Sequence, residues 1–108
     1  MLRRGEHERN GPSRVGDLVI DPVRRRVTVD GRPVELARKE FALLRMLATD
    51  PRRVFTKEEL MAQIWGFRDP GRTRTLDSHC SRLRRKLDPD HGRYVVNTWG
   101  VGYRLVAG

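Results

Sequence analysis

Between residues 72 and 86 the chain reads RTRTLDSHCSRLRRK, and within that run of charge Leu76, Cys80 and Leu83 recur at α-helical spacing. With Leu87 added and about 100° allowed per residue, the four fall within about 60° of one another, a stripe narrow enough to be a buried face. Directly opposite stand Arg74, Ser78, Ser81, Arg82 and Arg85. A solvated charge run has no such stripe. The spacing therefore predicts a packed helix over about 73–87 that hides its leucines and presents arginines and small serines outward. Cys80 lies on the stripe and belongs to the core, whereas His79 is lateral and either donates to a phosphate or makes no functional contact.

Charge sharpens this reading. The chain carries 23 basic and 14 acidic side chains, a net +9. Residues 72–86 hold Arg72, Arg74, Arg82, Arg84, Arg85 and Lys86 against Asp77 alone, so more than half of the excess sits in one stretch. Compositional scatter would not concentrate it so, and a polyanionic partner follows. Serines between arginines let a helix approach a groove closely, and guanidinium forks fit guanine edges and phosphates. Arg84 and Lys86 fall on the flanks, where phosphate contact is the expectation.

The rest of the chain bounds the fold. A length of 108 residues allows one domain with one modest core. No apolar run approaches the ~20 residues of a membrane span, so no membrane partner is expected. The start, MLRRGEHERNGPSR, lacks the apolar stretch of a signal peptide. A lone cysteine forms no internal disulfide, which fits a reducing, cytoplasmic setting.

Residues 1–15 show no periodicity and read as a flexible tail or linker remnant, with the folded domain over 16–108. Leu18 and Ile20, Val27 and Val29, then Val34 and Leu36 alternate with polar residues, and Asp21-Pro22 and Asp30-Gly31 supply turns, so three strands in a meander are expected. A helical period follows, with Phe41, Leu44, Leu47 and Ala48 on one face and Asp50-Pro51 as the stop; Ala37 and Arg38 offer it no capping side chain. The second helix carries Thr56 and Glu59 at capping-box spacing, Leu60 and Ile64 one turn apart, and Gly66 at its end. GFRDPGR is a loop, Asp88-Pro89 ends the basic helix, and RYVVNTWGVGYRLV forms a C-terminal hairpin over about 93–106.

Enzymatic function is not expected. His7, His79 and His91 are scattered, no cysteine pair offers metal spacing, and no phosphate loop or nucleophile signature is present, so neither cofactor nor metal is assigned. Glu58 and Glu59 are explained as first-turn helix acids. A general, non-sequence-specific DNA- or RNA-binding module is the competing class; its RNA form would display clustered aromatics, which the two Tyr and two Trp do not supply.

Three helices followed by a hairpin, the third helix basic, is the plan of an α+β winged helix-turn-helix. The succession KEFALLRMLATDPRRVFTKEELMAQIWG, then RTLDSHCSRLRRKLDP, then NTWGVGYRL resembles the OmpR/PhoB-type DNA-binding effector domain of bacterial two-component response regulators over roughly residues 16–106. The resemblance implies a four-stranded N-terminal antiparallel sheet, a three-helix core and a β-hairpin wing. It further implies sequence-specific binding of double-stranded DNA in transcription regulation, with the third helix in the major groove and the wing near the minor groove. Arg74, Thr75, Ser78, Ser81, Arg82, Arg84 and Arg85 match its recognition-helix positions, and Trp99 its wing. The loop with Phe67, Arg68, Asp69 and Arg72 matches its RNA polymerase contact. Further implied are a receiver domain outside this chain and a free monomer that pairs head to tail on direct repeats.

Two departures stand out. Many family members begin the first helix with Thr-Pro or Ser-Pro where this chain has Ala37-Arg38, and the wing position that is often arginine is Trp99 here. Tryptophan brings no charge to a narrow groove. Stacking on a sugar, packing against the body of the domain and contact with a neighbouring protomer are the roles open to it, and packing is the first expectation.

Overall fold

Strand pairing begins earlier in the chain than the alternation suggests. The computed structural model describes residues 13–66 and 73–107. Within it β1 (Ser13–Val15), β2 (Leu18–Asp21), β3 (Arg26–Val29) and β4 (Arg32–Val34) form an antiparallel sheet in sequential order. β1 pairs with β2 through Ser13↔Ile20 and Val15↔Leu18, and Val15 is buried, so the tail expected over residues 1–15 overruns the sheet by three residues. Three residues are too few to show alternation, which hid the strand. The remainder of that tail lies outside the described residues.

The period of two does its work in this sheet. Val15, Leu18, Ile20, Val27 and Val29 all point to one buried face. Asp30 and Gly31, at φ +53° and +79°, link Val29 to Arg32 as the two central residues of a tight hairpin, where left-handed backbone matches the strand twist.

Helix α1 (Arg38–Ala48) buries Phe41, Leu43, Leu44 and Leu47. Its missing cap is replaced from within, since Glu40 Oε1 accepts from the Ala37 N–H at 2.9 Å. Helix α2 (Lys57–Ile64) starts as expected. Thr56 Oγ accepts from the Glu59 N–H, and the Glu59 carboxylate from the Thr56 N–H, each at 3.1 Å. Gly66, at φ +82°, closes it by donating to the Met61 and Ala62 carbonyls.

Helix α3 spans Thr73–Leu87, and the wing is the hairpin of β6 (Val95–Thr98) and β7 (Gly102–Leu105). A two-residue strand that the sequence reading missed, β5 (Phe55–Thr56), adds to β7 and makes a second sheet in the order β5-β7-β6. It was hidden because Thr56 already served as a helix cap and two residues carry no period. The approach of β5 to β7 is close enough to demand glycine: a Cβ on Gly102 would meet the Phe55 carbonyl oxygen at 1.8 Å. Both sheets and all three helices contribute to one buried apolar cluster, which fixes α3 against the rest.

At the C-terminal end of α3 Asp88 is buried and accepts from the N–H groups of His91 and Arg93, both at 3.2 Å, and from Arg93 Nε. The Arg93 guanidinium, aided by those two N–H groups, holds its carboxyl at about 2 instead of the ordinary 3.8, against the opposing effect of burial. A depressed folded-state pKa contributes stability that is complete above the unfolded value and is lost as pH falls through the folded one. Wild-type protein should therefore lose stability between about pH 4 and pH 2. Asp88→Asn should melt lower at neutral pH yet lose less across that window. Thermal melts at several pH values decide, and equal acid sensitivity of the two proteins would exclude Asp88 as a contributor.

Candidate nucleic-acid interface

The helical stripe settles the orientation of α3. Leu76, Cys80, Leu83 and Leu87 are each 0% exposed, and Arg74, Thr75, Ser78, Ser81, Arg82 and Arg85 are all exposed on the other side. Arg74, Ser78, Ser81, Arg82 and Arg85 line one shallow surface together with Asp77. Three guanidinium groups thus share a face with two hydroxyls and no bulky aliphatic side chain. Burial pushes the Cys80 thiol pKa up, so Cys80 is an inert part of the core.

Arg84 and Lys86 also bond within the fold. Arg84 is half-buried, and its Nε donates to the Val95 carbonyl on β6 at 3.0 Å. Lys86 Nζ reaches Glu40 Oε1 at 2.7 Å, pairing with a carboxylate on α1 whose side chain is 1% exposed. Burial would raise the Glu40 pKa, but the Lys86 ammonium and the Ala37 N–H prevail and set it below the ordinary value. Both bonds tie α3 to neighbouring elements, a role beside the phosphate contact expected of Arg84 and Lys86. Sequence spacing placed them correctly on the flanks but could not show which acceptors lie beside those flanks.

His79 is likewise structural. Its Nδ1 lies 2.8 Å from the Thr75 carbonyl, and its ring meets Trp65 edge-on at 5.0 Å between centroids. Asp77, the one acid of α3, accepts from the Tyr103 hydroxyl at 2.7 Å and lies 3.2 Å from Lys57 Nζ. Nothing in the local sequence signals this link. Its partners come from three separate elements.

At the wing, Thr98–Val101 forms the turn, closed by the Val101 N–H on the Thr98 carbonyl at 2.9 Å, with Gly100 at φ +77°. Trp99 is 89% exposed and Val101 48%. The expected packing of Trp99 against the body is therefore wrong: the turn that Gly100 permits carries the indole away from the core. The loop residues Phe67, Arg68, Asp69 and Arg72 lie outside the described residues. Among the described residues no helix is long and apolar enough to cross a membrane.

Residues 31–105 match the family described as transcriptional regulatory protein, C terminal. The chain belongs to this family. Its relatives include the transcriptional regulatory protein TrcR of Mycobacterium tuberculosis, 41% identical over 108 residues that cover 97% of this chain and 42% of TrcR. The DNA-binding response regulator MtrA of Mycolicibacterium smegmatis is 42% identical over 105 residues, covering 95% of this chain and 46% of MtrA. The chain thus spans less than half the length of these curated relatives. Among solved structures, the Klebsiella pneumoniae RstA DNA-binding domain in complex with RstA box aligns with a TM-score of 0.81 at 29% identity, over 90% of this chain and 98% of that one. DrrB of Thermotoga maritima, an OmpR/PhoB homologue, aligns at 0.79 and 35% identity over 94% of this chain and 46% of DrrB. The winged-helix architecture and the OmpR/PhoB-type membership expected from the three motifs both hold.

Within this effector-domain family the division of labour along α3 is open to a direct check. Lys86→Ala strips a buried carboxylate of its partner and should destabilise the domain by about 1 to 3 kcal/mol. Arg85→Ala removes the same charge from a solvated face and should stay within about 0.5 kcal/mol of wild type. Denaturant melts of the two variants measure this. Equal losses would mean that Lys86 is not a structural cation.

Proposed function

We propose that this domain binds double-stranded DNA sequence-specifically, as the effector part of a transcriptional regulator, with α3 in the major groove and the β6–β7 wing toward the adjacent minor groove. The observation that carries the reading is the outward face of α3, where Arg74, Ser78, Ser81, Arg82 and Arg85 share one exposed surface while the opposite face is wholly buried. Its relation to the DNA-binding response regulator MtrA, and the likeness to the RstA domain bound to its box, support it.

The chemistry assigns roles by position. Arg82 and Arg85 lie about one turn apart on the exposed face, flanked by Ser78 and Ser81, and are suited to bidentate contacts with guanine edges. Arg74 and Thr75, in the first turn of α3, suit phosphate oxygens. Arg84 supports the wing through its bond to Val95. Trp99 offers a flat apolar face to deoxyribose in place of an arginine's charge.

On the same reading the receiver domain of a response regulator would belong to the remainder of a longer protein. Two copies would sit head to tail on direct repeats, a single copy being monomeric when free. RNA polymerase would meet the loop that includes Phe67, Arg68, Asp69 and Arg72.

Selection of binding sites from random duplexes supplies the DNA for the test. With three to five phosphates neutralised, log K should fall against log salt with a slope of about −3 to −4.5, and a slope shallower than about −2 would contradict the proposal. Alanine at whichever of Arg82 and Arg85 reads a base should cost about 1 to 3 kcal/mol on the selected duplex and relax preference at one position. If both variants weaken the selected and a scrambled duplex by the same factor, binding is not sequence-specific through this helix, and the general nucleic-acid module takes its place.

A further inference from the structure

We infer that Asp77, held by Tyr103 and Lys57, locks the wing to α3 so that the two DNA-reading elements act as one rigid unit; this rests on the DNA-binding reading above. Two elements converge on a carboxylate borne by a third. Tyr103 of β7 donates its hydroxyl to Asp77 Oδ1 at 2.7 Å, and Lys57, the first residue of α2, brings its ammonium to 3.2 Å from the same oxygen. The Lys57 ammonium also lies 5.8 Å from the centre of the Tyr103 ring.

Each partner sits where it would be unfavourable without the others. A carboxylate on the surface that lines Arg74, Ser78 and Arg82 repels phosphate, and a lysine at a helix N-terminus opposes the helix dipole. Mutual pairing offsets both. Burial, and then the bond to Asp77, raise the Tyr103 pKa, so the hydroxyl stays protonated and able to donate. Tyr103 is itself anchored, since it is 3% exposed and pairs with Phe55 of β5 next to the close approach at Gly102.

Two tethers then reinforce the angle between helix and wing that the core packing sets. Arg84 Nε holds the C-terminal half of α3 to β6 through the Val95 carbonyl, and Asp77 holds the N-terminal half to β7 through Tyr103. The apolar cluster seats α3 on the wing base, and the two bonds fix the helix near both of its ends. With both in place, a wing seated at the minor groove constrains where Arg82 falls in the major groove. Tyr103 and Asp77 are positioning residues in this scheme, acting on DNA through the elements they join.

The test is a double-mutant cycle between Arg82→Ala and Trp99→Ala on the selected duplex, run with and without Tyr103→Phe, with thermal melts confirming the fold of each protein. In the Tyr103 background the two losses should depart from additivity by at least about threefold, and Tyr103→Phe should bring them to additivity. Tyr103→Phe should also weaken the selected duplex roughly fivefold and leave a scrambled duplex unchanged. Asp77→Ala should abolish the same coupling yet strengthen the scrambled duplex, because a carboxylate leaves a phosphate-facing surface. That opposite sign separates lost positioning from damaged folding. Coupling that survives Tyr103→Phe, or equal losses on both duplexes, would overturn the inference. A wild-type protein that does not distinguish the selected from the scrambled duplex would remove the DNA reading itself and this inference with it.

Discussion

The buried stripe of α3 decides what the rest of the molecule can present. Each of its leucines, removed wholly from water, contributes about 1.5 to 3 kcal/mol. Turning the helix by one residue would replace stripe positions with aspartate, serine or arginine, and an unpaired charge in a core is worse by several kcal/mol. No single surface hydrogen bond, at about 1 kcal/mol, competes with that preference. The arginine face therefore needs no scaffold of its own. It is the remainder left when the apolar side has been satisfied, and its direction is as firm as the core.

Carboxylates then sort the cations that the stripe leaves outside. Lys86 and Arg85 are neighbours in sequence with the same charge, yet only Lys86 has a buried acid within reach. That acid, Glu40, serves two elements. It accepts from the Ala37 N–H at the start of α1 and from Lys86 near the end of α3, 46 residues away. The absence of a Thr-Pro or Ser-Pro start is thereby compensated, since one orphan donor of α1 is met by a carboxylate already held in place by a lysine. The N-terminus of α1 and the C-terminal half of α3 become one packed joint.

How much of this could be read beforehand follows from the range of each signal. The stripe, the Thr56 and Glu59 cap, the Asp30-Gly31 turn and the Gly66 stop are all local, and local patterns specify local structure, so these held. Strands β1 and β5 escaped the alternation because three and two residues carry no period, and the fourth strand of the N-terminal sheet was implied by the family resemblance alone. Leu43, off the assumed face of α1, is buried because several elements surround that helix and not one. Trp99 failed for a related reason: an indole next to Gly100 looks like core by composition, while its direction depends on a left-handed glycine in a hairpin tip. The exposed members of the candidate face were legible, because helical periodicity alone separates outside from inside. The tethering of Arg84, Lys86 and Asp77 was not, because each partner is supplied by another element of the chain.

The wing shows what such long-range constraints imply for function. Its base is packed, with Tyr94, Val95, Tyr103 and Leu105 buried and Gly102 leaving no room for a Cβ against Phe55. Its tip is the opposite, since Trp99 stands almost fully in water. An indole that could cover about 200 Å² forgoes roughly 5 kcal/mol of burial by standing there. Turning it inward would require breaking the β6–β7 register that Val95↔Leu105 and Asn97↔Tyr103 maintain. A rigid base thus holds an apolar ring away from the body, beside a helix whose arginines face outward. On the proposed DNA-binding reading, charge on α3 would supply attraction at a distance and the indole would supply contact once a surface has arrived, a pairing suited to a partner both anionic and grooved.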